Sequence, residues 1–67
     1  MKHSEEQIKR AVLILIDILP VKMSLIVYFN GYLIVGTDSQ DIESKKSRIQ
    51  RGDVNGFYTV ERLLYGR

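Results

Sequence analysis

Apolar residues crowd the first half of this chain and thin out between residues 37 and 53. Over residues 4–19 they recur with a helical period. Projected at about 100° per residue, Ile8, Ala11, Val12, Leu15, Ile16 and Leu19 form one stripe, with Arg10 and Asp17 opposite. Ser4-Glu5-Glu6-Gln7 supplies a capping box: the Ser4 hydroxyl accepts from the amide three residues on, and Gln7 reaches back. Glu5 and Glu6 lie at the positive end of the helix dipole. Pro20 ends the helix, because it disfavours the α conformation at Leu19 and brings no amide for the next bond. Leu13 and Ile14 flank the polar pair and fall outside the stripe. The second half of the helix is therefore apolar over more of its circumference than one packing surface uses.

The period then changes. Leu25 to Phe29 and Tyr32 to Val35 are apolar without interruption, and Asn30-Gly31 joins them. This is the pattern of a β-hairpin closed by a two-residue type I′ turn, whose central residues both need φ > 0. A half-buried hairpin alternates apolar and polar residues. This one has no polar face, so both faces need cover. The expectation is that the first helix packs on one face and that the other meets either the C-terminal tail or another chain. Pairing across the turn sets Phe29 against Tyr32 and Tyr28 against Leu33, which puts Tyr28 and Tyr32 on opposite faces.

Residues 38–53 are hydrophilic. Asp38, Asp41 and Glu43 come first, and Lys45, Lys46, Arg48 and Arg51 follow, the order a helix dipole favours. Asp41 with Lys45 and Glu43 with Lys46 have the spacing of helical ion pairs. Ser39 or Asp38 suits the N-cap and Gly52 a left-handed C-terminus. The pattern predicts a loosely held helix over residues 40–50, anchored only by Ile42 and Ile49, with a mobile loop as the alternative. In the tail, Phe57-Tyr58-Thr59-Val60 favours a strand, whereas Thr59 also suits the cap of a short helical run from Val60 to Tyr65. A short third strand around residues 57–60, followed by a helical turn, is predicted.

Length sharpens this picture. A chain of 67 residues is one domain near the lower limit for folding alone, with a core that rarely supplies more than roughly 3–5 kcal/mol. There is no cysteine, which excludes disulfides and thiolate metal sites. The single histidine, His3, is expected at a frayed N-terminus, so no metal site is expected either. Oligomerisation or a partner chain remains as the source of added stability. A net charge of +2 is too small to signal nucleic-acid binding by itself. Glu5 and Glu6 speak against a secretory signal, and the longest apolar run, Ala11 to Ile16, is too short to span a membrane. A cytoplasmic protein is expected.

Catalytic constellations are nearly absent. A histidine-based mechanism would need His3, placed outside any expected pocket. Asp17 is the one acid among apolar residues, and it is expected to face solvent opposite the core. Gly31 and Gly36 do not make a phosphate loop, since no Lys-Ser or Lys-Thr follows. No enzyme, cofactor or small-molecule substrate is expected. Lys45, Lys46, Arg48 and Arg51, with the hydroxyls of Ser44 and Ser47, are the candidate phosphate contacts for a nucleic acid. The acidic first half of the same segment would repel a phosphate track, which favours a solvated, dipole-compensated helix face as the explanation of the cluster.

Asn30-Gly31-Tyr-Leu-Ile-Val-Gly36 resembles the Asn-Gly-x-x-x-x-Gly motif of Sm-like RNA-binding barrels, and Arg51-Gly52-Asp53-Val54 resembles their second motif. Such a barrel has further apolar strands between the two motifs. Here Asp38 to Gln50 are mostly charged, so no binding residue is carried over from that family.

Together these signals predict a single small α+β domain over residues 1–67, ordered helix, β-hairpin, helix, then short strand or helical turn. The function they predict is a non-catalytic protein-interaction module, an accessory subunit or small inhibitor of a larger protein, and a candidate homodimer. The expected partner surface combines Phe29 and Tyr32 on the hairpin, Leu13 and Ile14 on the first helix, and Tyr58 and Tyr65 in the tail. Tyrosine offers a large apolar area with a polar tip and few rotamers to freeze. The alternative is a small nucleic-acid-binding protein using residues 45–51.

Overall fold

The computed structural model of the protein describes residues 3–19 and 25–66. The elements run α1 (Glu5–Ile18), β1 (Leu25–Phe29), β2 (Tyr32–Gly36), α2 (Ser39–Gln50), β3 (Tyr58–Thr59) and α3 (Val60–Tyr65). This is the small α+β arrangement of helix, hairpin, helix, short strand and helical turn.

The local signals form as chemistry requires. At α1 the Gln7 amide donates to Ser4 Oγ at 3.1 Å and the Ser4 amide to Gln7 Oε1 at 2.9 Å, a complete capping box. Leu19 is already extended, as the residue before a proline must be. Pro20 itself lies outside the described residues. Asn30 and Gly31 have φ of 52° and 86°, the left-handed values of a type I′ turn. Asp38 caps α2 by accepting from the Asp41 amide at 2.8 Å. Gly52, at φ 83°, ends that helix in a Schellman motif, with the Gly52 amide on the Ile49 carbonyl and the Asp53 amide on that of Arg48. Thr59 closes the tail's ambiguity by serving twice: it ends β3 and caps α3 through the Arg62 amide.

The three strands form an antiparallel sheet in the order β1-β2-β3. Phe29 pairs with Tyr32 and Tyr28 with Leu33, while β3 meets β2 only at Tyr32 and Leu33. Successive strand residues point to opposite faces, and the central strand uses this to build two cores. Leu33 joins Ala11, Leu15, Val60 and Leu63 beneath α1 and α3. Ile34 joins Ile42 and Ile49 beneath α2. Burying each of these leucine, isoleucine and valine side chains contributes roughly 1.5–3 kcal/mol.

Four expectations change. The second face of the hairpin is not left to the tail alone. α2 lies on it, with Phe57 from the segment before β3. This helix is firmly held, because Ile42 and Ile49 are buried against Ile34 and the Lys45 ammonium donates to the Val35 carbonyl at 2.7 Å. On α1 the roles of two isoleucines are exchanged. Ile14 packs against the core, while Ile16 is exposed, since it stands roughly 120° around the helix from the Ala11–Leu15 centre. His3 is not frayed: its side chain is only 5% exposed. Asp17 faces solvent. Among the described residues, no helix is long and apolar enough to cross a membrane.

Candidate functional site

Among the described residues, an apolar surface is left exposed on the outward side of α1. Leu13 is 67% exposed and Ile16 55%. They are three residues apart and so neighbours on the helix surface. Val12 and Lys9 extend the patch, and Ile8, Lys9, Val12 and Leu13 line a shallow groove there. Glu5, Glu6, Arg10 and Asp17 are all exposed on the same helix and supply its polar frame. Further along, Ile18 is also exposed, as are Leu25 at the start of β1 and Tyr65 at the end of α3.

The residues that the sequence marked for a partner are dispersed. Phe29 and Tyr32 are half-buried on the α2 face, where Tyr32 meets Phe57 edge-to-face at 6.3 Å and Phe29 carries the Lys46 ammonium over its ring at 5.5 Å. Ile14 and Tyr58 pack against the other core, beneath α1 and α3. Leu13 and Tyr65 stand exposed. Ile16, Ile18 and Leu25 belong to the uncovered apolar set without having been singled out. The angle of Ile16 from the core centre was the signal that finds it, whereas the six-residue stripe drawn from the sequence was too wide.

The basic segment is largely spent within the molecule. Lys45 sits 3.2 Å from Asp41, Lys46 3.2 Å from Glu43, and Arg48 3.0 Å from Asp53. Arg48 also lies over the Phe57 ring at 4.8 Å and donates to the Asn55 carbonyl. Arg51 is exposed. The partners respond. The Thr37 amide, and then Lys45, hold the Asp41 carboxyl below its ordinary range. The Arg48 guanidinium does the same for Asp53. A groove of about 370 Å³ runs beside Lys45 and Arg48, lined also by Leu33, Val35, Asn55, Gly56, Phe57 and Tyr58. It lies where β3 stops and the edge of β2 opens.

A third cluster gathers around His3. Its Nε2 is 2.7 Å from Glu61 Oε2 and its Nδ1 is 2.9 Å from the Tyr28 hydroxyl. The Glu61 carboxylate can only accept, so Nε2 carries the hydrogen donated to it, and Nδ1 faces the Tyr28 hydroxyl. Glu61 is held below its ordinary range by its own backbone amide and then by His3. Hydroxyl, imidazole and carboxylate stand in the order of nucleophile, base and orienting group. Neither groove described above has any of the three in its lining. What the cluster does mechanically is clear: it ties His3, which precedes the Ser4 cap of α1, to β1 and to α3. Sequence separation hid it, because His3 and Glu61 are 58 positions apart.

Comparison with protein-family models, with curated proteins and with solved structures gave no match.

Proposed function

We propose that the chain is a non-catalytic protein-interaction module that docks onto a larger protein through the outward face of α1, as an accessory subunit or small inhibitor. The observation that carries this reading is the exposure of Leu13 and Ile16 side by side on a helix whose fold duties are met by other residues. Exposed apolar surface is unfavourable in water, and a contiguous patch with a polar frame is the usual form of a docking site. The partner it fits presents an apolar surface. The basic segment offers a nucleic acid little, since Lys45, Lys46 and Arg48 already face Asp41, Glu43 and Asp53.

The test is capture from a lysate of the source organism, run in parallel with the parent protein and a Leu13→Ser/Ile16→Ser double variant. The expected result is a partner retained by the parent at moderate salt and lost by the variant, with both proteins showing the same circular-dichroism spectrum. Retention of the same partner by both would remove α1 as the docking face. Binding of a short oligonucleotide that weakens steeply with salt, as counterion release requires, would replace the reading with the nucleic-acid one.

A further inference from the structure

We infer that the outer edge of β1 is a homodimer interface, at which two copies pair antiparallel into one six-stranded sheet. It is a different surface from the α1 face, and the inference stands without the docking function proposed above.

The argument begins with hydrogen-bond direction. A two-residue turn makes Phe29 and Tyr32 the hydrogen-bonded pair, so bonding alternates from there: Val27 with Ile34 and Leu25 with Gly36 are bonded pairs. The amides and carbonyls of Leu33 and Val35 then point away from β1, and those of Ile26 and Tyr28 away from β2. Two contacts on the far side confirm the alternation. The Gly31 carbonyl accepts from Val60, and the Val35 carbonyl from Lys45. β2 is thus paired with β1 along one edge, while its other edge is paired with β3 at Tyr32 and Leu33 and capped by Lys45 at Val35. β1 is an edge strand whose outward groups, at Ile26 and Tyr28, meet no donor or acceptor among the described residues.

Edge strands of natural proteins are usually blunted by charge, proline, a bulge or a cover. Leu25-Ile-Val-Tyr-Phe29 carries no charge and no proline, and its pairing with β2 is regular. Its side chains are half-buried or exposed, in contrast to Leu33 and Ile34 on β2. Such an edge is a template for another strand, and a second copy of this strand matches it about a two-fold axis. The outward residues are two apart and flank Val27. A two-fold axis through Val27 therefore sets Ile26 against the partner's Tyr28 and Tyr28 against the partner's Ile26. Both are bonded pairs, with amide and carbonyl matched on each side. On the α2 face the same axis sets Val27 against the partner's Val27 and Leu25 against the partner's Phe29. The exposed Leu25 gains an aromatic cover. A two-fold axis brings a strand close to its own sequence, so any charge in it would face a like charge. This strand has none.

Sedimentation equilibrium over a wide concentration range, combined with amide exchange, tests the inference. The parent is expected to dimerise, and the Ile26 and Tyr28 amides to exchange more slowly as protein concentration rises. Leu25→Lys, at a site already open to water, should raise the dimer dissociation constant at least about tenfold by burying a charge. The Leu13→Ser/Ile16→Ser variant should dimerise as the parent does. A monomer at every concentration overturns the inference. So does a dimer that survives Leu25→Lys but not the helix variant, or exchange at Ile26 and Tyr28 that ignores concentration. Should Leu25→Lys fail to fold, the exchange rates of the parent decide alone.

Discussion

α1 and α2 lie on opposite faces of one small sheet, and they cover it by opposite means. α1 carries apolar residues on nearly every side: it buries Ala11 and Leu15, half-buries Ile14, and still leaves Leu13, Ile16 and Ile18 in water. α2 holds two isoleucines among its 12 residues and buries both. The rest of its cover comes from long polar side chains, with Lys46 laid over Phe29 and Arg48 over Phe57. The contrast shows how little apolar material a face of this sheet demands. The surplus on α1 is therefore surplus to the fold, and this is why it is read as a docking surface.

That comparison can be broken most sharply in the cores. Leu15→Ala and Ile42→Ala should each cost about 2–5 kcal/mol, the range for truncating a buried aliphatic side chain, measured as loss of unfolding free energy in urea. A cost well under 1 kcal/mol for Ile42→Ala would mean that α2 contributes no real cover and that the second hairpin face is open after all. Next in size is the turn on which both helices depend for their sheet. Gly31→Val forces a β-branched residue to φ 86° and should cost on the order of 1–3 kcal/mol. A melting temperature equal to the parent's would show that the hairpin tolerates another turn.

Acid should weaken both sides together. Asp41 and Asp53 serve the α2 side and Glu61 the α3 side, and all three carboxyls are held below their ordinary values. A carboxylate whose pKa falls on folding stabilises the fold above its unfolded-state value and loses that contribution as pH drops through the lower, folded-state one. The urea midpoint should thus hold steady from neutrality to about pH 5 and fall below about pH 4. Asp41→Asn, which keeps the shape and removes the charge, should flatten part of that fall. A midpoint that rises on acidification would contradict the sign. Smallest of all is the outward face of α1. Leu13→Ser and Ile16→Ser should each leave stability within about 0.5 kcal/mol of the parent. A loss as large as that for Leu15→Ala would place those side chains in the fold and leave α1 no surplus.

The sequence made the local features legible. Asn30-Gly31, the Ser4 box, Asp38, Gly52 and Thr59 act within a few residues of themselves, so their chemistry is complete in the string. The pairing of Tyr28 with Leu33 followed from the turn for the same reason. The role of α2 was not legible, since a segment with two apolar residues reads as loose unless the stems of Lys46 and Arg48 are counted against Phe29 and Phe57. Those contacts exist only once α2 lies across β1 and the segment before β3. His3 shows the limit most plainly. Its partners come from the hairpin and from the last helix, and nothing near it in the chain announces them. On the candidate surface Leu13 was readable as surplus, whereas Ile16 needed the core's centre to be known first.

Leu33 and Ile34 are adjacent on β2 and point into different cores. Neither core can therefore loosen β2 without emptying the other, and the two are thermodynamically one unit. A single cooperative transition follows, with a denaturant slope set by the surface of both. The same linkage carries binding energy across the sheet. A partner that recognises only the folded chain lowers the free energy of the whole unit by its own mass-action term. Occupying the outer face of α1 would then protect α2, on the far side of the molecule, from unfolding, although no contact of the partner reaches it.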